Sequence, residues 1–420
     1  MHDEHGRTSD TLATRAAEAL ARERAARKAR KPHDAPHDAP QGEHLVRDVP
    51  VRVFHWALVA SVAVALLTGF FGEENLLDIH VLAGQAVVVL VLFRIAWWFV
   101  GGRYSRLSAY PLSPRKALEH LGSIIRGRSP LTAGHNPLGA FMIITLVGLL
   151  FLITASGIIT LGGEENQGPL KAFVPYRLGD AAGEVHEVLA IILLFAIAGH
   201  LGGVFLETVI FRHPLLRAMT RGMMPVPEEQ AEHGRLILRG LFVLGVVLVF
   251  FLGIWNVLEA TPDTRWRAIS YARAYADNCA DCHHAHHPSL RTADMWERII
   301  NGLDDHFGED ASIDEKTAAE ILAFLKANDA THFDTEAAVR LGRAKTPDMR
   351  ISSAAWWKKR HAGLAEAVFR APAVGSKANC NACHKDAQTG RFDDVNIHVP
   401  PAALRQADSN NSPGKQQDGG

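Results

Sequence analysis

A chain of 420 residues has room for two or more domains, and its 44 Lys and Arg against 45 Asp and Glu leave a formal charge of −1. That balance excludes a generally basic surface, so nothing calls for a nucleic-acid partner. The average hides segregation: the first 50 residues are rich in Arg and Lys, the middle alternates long apolar runs with basic loops, and the last third has ordinary water-soluble composition. The expected fold class is all-α, a transmembrane helix bundle followed by a mostly helical soluble domain.

Residues 1–44 form a basic tail with Arg22, Arg24, Arg27, Lys28, Arg30 and Lys31, followed by a doubled His-Asp-Ala-Pro. No apolar core of signal-peptide type follows, so the tail is read as a disordered cytoplasmic segment rather than a cleaved leader. A basic, Ala-rich helix over Thr11–Lys31 lying on anionic lipid is the alternative. Residues 45–258 then supply five membrane segments, expected at 51–71, 79–100, 138–161, 184–211 and 236–257. His55 lies in the opening turn of the first and His80 opens the second; the third and fifth have no histidine.

The fourth segment, around EVHEVLAIILLFAIAGHLGGVF, carries His186 and His200. Their separation places the two imidazoles on nearly one helix face, about 21 Å apart, inside a hydrocarbon core of about 30 Å. Ionisable groups there are costly and tend to be functional. The loops after segments two and four are rich in Arg (Arg103, Arg106, Arg115, Arg126, Arg128; Arg212, Arg217, Arg221, Arg235), whereas the loop after segment one has Glu73, Glu74 and Asp78 and no Lys or Arg. The positive-inside rule therefore puts the tail and basic loops in the cytoplasm of a bacterial inner membrane, with the region after Glu259 in the periplasm. The same orientation pairs the histidines by depth, His80 with His186 and His55 with His200. Facing neutral imidazoles are what a six-coordinate haem iron requires, so each pair is expected to hold one non-covalent haem b. Arg52 and Arg94 near the cytoplasmic boundary are candidates for haem propionates or for snorkelling to lipid phosphates. Gly69, Gly84, Gly157, Gly199, Gly202 and Gly203 allow close approach of a macrocycle or of a neighbouring helix.

Residues 259–275 read as a linker, with a helix through 266–276, and 276–403 as a periplasmic domain. All four cysteines fall in two motifs, CADCH (Cys279, Cys282, His283) and CNACH (Cys380, Cys383, His384). Two thiols at this spacing bond the vinyl groups of one haem and place the next histidine under the iron, so two covalent haems c are expected. Spacing alone leaves the distal ligands open: His284, His286, His287, Met295 and His306 for the first haem, Met349, His361 and His398 for the second. A capping box at Ser312–Glu315 is expected to open a helix over 316–328, another helix is expected over 356–369, and residues 404–420 read as a disordered tail.

Val53-Phe54-His55-Trp56, His80 with Gly84, Phe93-Arg94 and the two histidines of segment four resemble the bacterial two-haem membrane cytochrome b family, the cytochrome b-561 and hydrogenase b-subunit group, over about 46–214. Trp296, the stretch Asp305-His306-Phe307-Gly308-Glu309-Asp310-Ala311, Lys359-Arg360-His361 and the late CNACH resemble the periplasmic dihaem cytochrome c family over about 278–401. That second resemblance implies bis-histidine haems with His306 and His361 as distal ligands, and makes the His284–His287 cluster a solvated turn. Together the resemblances imply electron transfer between quinone or quinol and a periplasmic redox protein such as a small c-type cytochrome, a quinol:cytochrome c oxidoreductase type of activity. The alternatives are an anchor subunit of a larger dehydrogenase or hydrogenase, and direct oxidation or reduction of oxygen, superoxide or a metal ion. His135 and Glu207 lie near the membrane edge, but no Asp/Glu/His cluster marks a quinone site.

Overall fold

The computed structural model describes residues 42–72, 76–129, 131–132, 134–226, 236–262, 267–280 and 283–411. Most of the basic tail, Glu73, Glu74, Arg235, Cys282 and residues 412–420 therefore lie outside the described residues.

Helix α1 (Val49–Phe71) starts where the buried Asp48 side chain accepts a hydrogen bond from Val51 N at 2.9 Å, with Pro50 in the first turn. Helix α2 (Leu77–Val100) follows and runs back. After it, α3 (Pro114–Ile125) is a short amphipathic helix capped by Ser113. It buries Ala117 and His120 and exposes Leu118, Leu121 and Ile125, the arrangement of a helix lying in a membrane interface. Helix α4 (Pro137–Gly163) is capped by Asn136, which accepts from Gly139 N. Helix α5 (Tyr176–Phe205) runs into a π-turn, Leu206–Ile210. A short helix α6 (Leu215–Arg221) ends at Gly222, whose φ of 82° is open to glycine without strain. The strands β1 (Glu43–Leu45) and β2 (Met223–Pro225) then pair antiparallel, tying the start of the membrane module to the loop after α5. Helix α7 (Ile237–Glu259) is the last long apolar one.

Among the described residues, five helices, α1, α2, α4, α5 with its π-turn, and α7, are long and apolar enough to cross a membrane. Their positions match the expected segments within a few residues, except that α5 begins a full two turns earlier, at Tyr176. Val87, Val91, Val147, Leu150, Ile153 and Leu193 form the packed centre of α2, α4 and α5. Large apolar side chains such as Phe195, Phe242, Val249 and Val257 face outward, as a lipid solvent requires. Helix α7 seats its first turns on α1 and α2, where Gly240 lies so close to Pro50 that an added Cβ would meet it at 2.5 Å.

The following part is built of short helices: α8 (Arg273–Cys279), α9 (Ala293–Ile300), α10 (Glu315–Ala327), α11 (Ala355–Arg360), α12 (Glu366–Arg370) and α13 (Pro401–Asn411). One core joins Tyr275, Trp296, Ile300, Ile321 and Leu325; another joins Leu290, Ala337, Leu341, Trp357 and Phe369. Four expectations are corrected here. The helix before the first motif starts at Arg273, not 266. Helix α10 is capped by Asp314, whose carboxylate accepts from Thr317 N at 3.0 Å and displaces the Ser312 box. The 356–369 helix is broken between Arg360 and Glu366, where Gly363 intervenes and His361 turns out of the helix. Residues 404–411 are helical rather than disordered, because Ala403 and Ala407, one turn apart, pack on Val368, Ala371 and Val374.

Candidate functional site

His80 and His186 face each other with ring centroids 6.0 Å apart. A metal–imidazole bond is about 2 Å, and the ring centre lies about 1 Å further, so two rings in line on one metal are about 6 Å apart. The two helices that back these rings present the same three positions. Ala65 O and Thr68 Oγ1 lie 3.1 Å from His80 Nδ1, and Gly69 leaves the space into which a Cβ would bring an atom 3.1 Å from His80 Cε1. Ile153 O at 2.9 Å and Ser156 Oγ at 3.3 Å meet His186 Nδ1, and a Cβ at Gly157 would lie 3.0 Å from His186 Cε1. A carbonyl oxygen only accepts, so each Nδ1 carries the proton and each Nε2 keeps its lone pair for a metal. This repeated carbonyl, hydroxyl, glycine pattern at i, i+3 and i+4 was missed in the sequence. The glycines were noted there, but only the topology reveals which imidazole each one faces.

His55 lies near the start of α1 and His200 near the end of α5, at the other end of these two helices from His80 and His186. His55 Nδ1 is buried without a hydrogen-bond partner among the described residues, a donor position that a bound group would satisfy. Arg52 donates to Thr220 O at 2.6 Å. Arg94 does not snorkel: it is buried, donates to Tyr110 Oη and to Ser105 O, and sits over the Trp98 ring.

The soluble part repeats the facing arrangement. His283 and His306 have ring centroids 6.1 Å apart and stack at 24°, and His361 and His384 lie 6.0 Å apart at 62°. His306 is aimed by a tight turn in which Phe307 (φ 61°) and Gly308 (φ 102°) reverse the chain, with His306 N donating to Glu309 O at 2.7 Å. His361 stacks on Trp357 and its Nδ1 donates to Trp357 O at 2.9 Å. His384 Nδ1 is buried without a partner among the described residues, and burial pushes this imidazole down to about 4, the neutral form a metal binds. Cys279, Cys380 and Cys383 are half-buried; Cys282 lies outside the described residues.

Of the rival distal ligands, Met295 is buried in α9, Met349 gives its carbonyl to Arg291, and His398 N donates to Cys383 O. The solvated-turn reading of His284–His287 holds for His284 alone. His286 stacks on His283 at 4.8 Å and burial lowers it to about 3. His287 is 1 % exposed, lowered by burial to about 4, and packed between Phe333 and Gly390.

A second cluster went unseen in the sequence because its members are spread over four segments. Glu207, in the π-turn, is buried and accepts from Ser129 Oγ at 2.9 Å, Asn136 Nδ2 at 3.2 Å and His213 Nδ1 at 2.7 Å. His120 Nε2, buried and lacking a hydrogen bond among the described residues, is 3.9 Å from the same carboxylate. His135, half-buried, packs against Tyr110, and burial together with the charges of Arg47 and Arg94 lowers its affinity for a proton well below the ordinary histidine range.

Comparison with known proteins gives two separate likenesses. The pattern of the family described as prokaryotic cytochrome b561 matches residues 46–222, and that of dihaem cytochrome c matches residues 275–392. Curated relatives include the "Probable Ni/Fe-hydrogenase 1 B-type cytochrome subunit" of Escherichia coli K12, 32% identical over 159 residues that span 32% of this chain and 66% of that one, just under two thirds. The "Probable Ni/Fe-hydrogenase B-type cytochrome subunit" of Rhizobium leguminosarum bv. viciae is 26% identical over 42% of this chain and 87% of its own. Among solved structures, a diheme cytochrome c from Rhodobacter sphaeroides is 34% identical, covering 30% of this chain and all of that one, with a TM-score of 0.26.

Proposed function

We propose that the chain, whose residues 46–222 match the prokaryotic cytochrome b561 family and residues 275–392 the dihaem cytochrome c family, conducts electrons across a bacterial inner membrane. The coarse statement is membrane electron transfer. The finer reading is a route from quinol to a periplasmic redox protein, through two haems b held by His55/His200 and His80/His186 and two haems c on the CADCH and CNACH motifs.

The observation that carries this reading is the recurrence of one geometry: three imidazole pairs, one in the membrane module and two beyond it, each face at 6.0 or 6.1 Å. The bound haems supply the one-electron chemistry. The chain supplies ligands in the right tautomer, aromatic walls such as Trp357 and Phe392 that keep water from the rings, and a fixed spacing between sites. The Glu207–His213–His120 cluster offers acid–base groups for the two protons that a quinone gains or loses, and lies on the side that the basic loops assign to the cytoplasm.

Replacing His186 with Ala tests the route. Quinol-driven reduction of the c bands is expected to stop while the c haems remain covalently attached. Continued fast reduction in that variant rejects it. The printed names of the curated relatives favour one second reading, an anchor subunit for a hydrogenase. Copurification of a catalytic subunit from a native membrane supports that reading, and quinol activity in the isolated chain opposes it.

A further inference from the structure

The hydrogen bonds that tie the soluble part to the membrane module gather on one of its two halves. Asp334 Oδ2 accepts from Tyr176 N at 3.1 Å, at the start of α5, and Glu336 Oε1 accepts from Tyr176 Oη at 3.5 Å. Arg340 Nε donates to Tyr176 Oη at 3.1 Å, and its Nη2 pairs with Asp180. Arg391 Nη2 donates to Asn166 O at 3.2 Å, in the connection between α4 and α5. Glu164 and Glu165 of that connection feel the charges of Asp394, Glu336 and their neighbours. Among the described residues, these hydrogen bonds come from Asp334, Glu336, Arg340 and Arg391.

Those residues belong to the half built around CNACH. The turn Ala337–Gly342 packs in the core with Trp357, the ring on which His361 lies. Arg391 precedes Phe392, which packs edge-on against His384 at 5.3 Å. On the membrane side, a cleft of about 670 Å³ is lined by Val81, next to His80, by Leu161 and Trp255, and by Arg391. The cleft is thus bounded on one side by the residue after His80 and on the other by the residue before Phe392, the ring that packs on His384. Among the described residues, the core of the CADCH half (Tyr275, Trp296, Ile300, Ile321, Leu325) supplies none of these bonds. It meets the other half through His287, four residues beyond His283, which is pressed so tightly on Gly390 that an added Cβ would lie 2.4 Å from its Nδ1. Tyr271 Oη donates to Gln388 O at 3.2 Å across the same junction, and Thr335 Oγ1 holds Gly390 O at 3.1 Å from within the CNACH half.

We infer that the seam of Asn166, Tyr176 and Asp180 with Asp334, Glu336, Arg340 and Arg391 makes the CNACH half the electrical entry of the soluble part, and leaves the CADCH half as its outlet. This rests on the electron-transfer reading above and adds an order to it. The buried Tyr176 with the more exposed Arg340 and Arg391 holds a fixed relation between the two halves of the route, which is what a positioning contact contributes.

The full-length protein in detergent, mixed with a short-chain quinol and followed at the b and c bands, tests the order. With Cys380→Ala and Cys383→Ala, the remaining c band is expected to lose quinol-driven reduction; with Cys279→Ala and Cys282→Ala, the remaining c band is expected to reduce at the wild-type rate. A second variant, Arg340→Ala with Arg391→Ala, keeps both attachment motifs. It is expected to raise amide hydrogen exchange at 176–180 and 334–340 and to slow both c bands by about tenfold or more, with b-band reduction unchanged. The order is overturned if the CNACH variant still reduces its c band at the wild-type rate, or if the seam opens by exchange with no change in rate. Failure of the wild type to reduce any c band after its b bands reject the electron-transfer reading itself, a different result.

Discussion

At the residue scale, the informative positions are those that hold an imidazole rather than the imidazoles alone. The four histidines of the apolar segments were conspicuous in the sequence, and the pairing of His80 with His186 expected from loop charge agrees with their facing rings. Their supports were not legible, because an i, i+3, i+4 pattern of Ala65, Thr68 and Gly69 or of Ile153, Ser156 and Gly157 resembles any small-residue helix face until its partner is known. The supports are testable. Gly157→Val places branched carbons where His186 Cε1 lies, and the expected outcome is loss of one b haem per chain by pyridine haemochrome analysis, with the c haems retained. An unchanged b content would show that the ring has room to move. In the soluble part, Gly390 combines a φ of 72° with its close approach to His287. Gly390→Ala is expected to cost roughly 2–4 kcal/mol, from a left-handed alanine and local overpacking together, read as a fall in the thermal midpoint of the c-band environment.

Elements were read well where periodicity and length decide and poorly where a single side chain decides. Five apolar runs gave five helices. By contrast, Asp314 rather than Ser312 caps α10, and a glycine and a turning histidine split the 356–369 run. The α13 helix shows why a polar tail need not be shapeless: two alanines one turn apart suffice to dock it. The seam between membrane module and soluble part could not be read from sequence, since its members are about 160 residues apart in the chain. It carries a pH dependence. Burial, with Asp394, Glu164, Glu336 and Asp393 around it, pushes Glu165 up to about 8; burial, with Asp394 and Glu164 opposed by Arg360 and Arg340, pushes Glu336 up to about 7. Both carboxyls hold their protons more tightly in the closed seam than at the ordinary value of 4.5. Closing therefore takes up protons, and the seam is firmest below that value and weakens as pH rises towards 8. Hydrogen exchange over 334–340 is expected to be faster at about pH 8.5 than at about pH 6 after correction for intrinsic rate; equal protection at the two would contradict the titration.

At the scale of the whole molecule, the stretch that matches prokaryotic cytochrome b561 and the stretch that matches dihaem cytochrome c each contain facing imidazole pairs, His80/His186 in the first and His283/His306 and His361/His384 in the second. The CxxCH motifs announce covalent haem by chemistry alone, since two thiols and an adjacent histidine answer to one macrocycle. Spacing alone left His306 and His361 among six other candidates; the resemblance implies these two, and the fold brings His306 to 6.1 Å from His283 and His361 to 6.0 Å from His384, while His286 also stacks on His283. The account as a whole is tested most directly by mixing the full-length protein in sealed vesicles with quinol and recording the b and c bands in time. Reduction of the b bands followed by the c bands is the predicted result. Reduction of the c bands before the b bands, or b bands that reduce while the c bands stay oxidised, would contradict it.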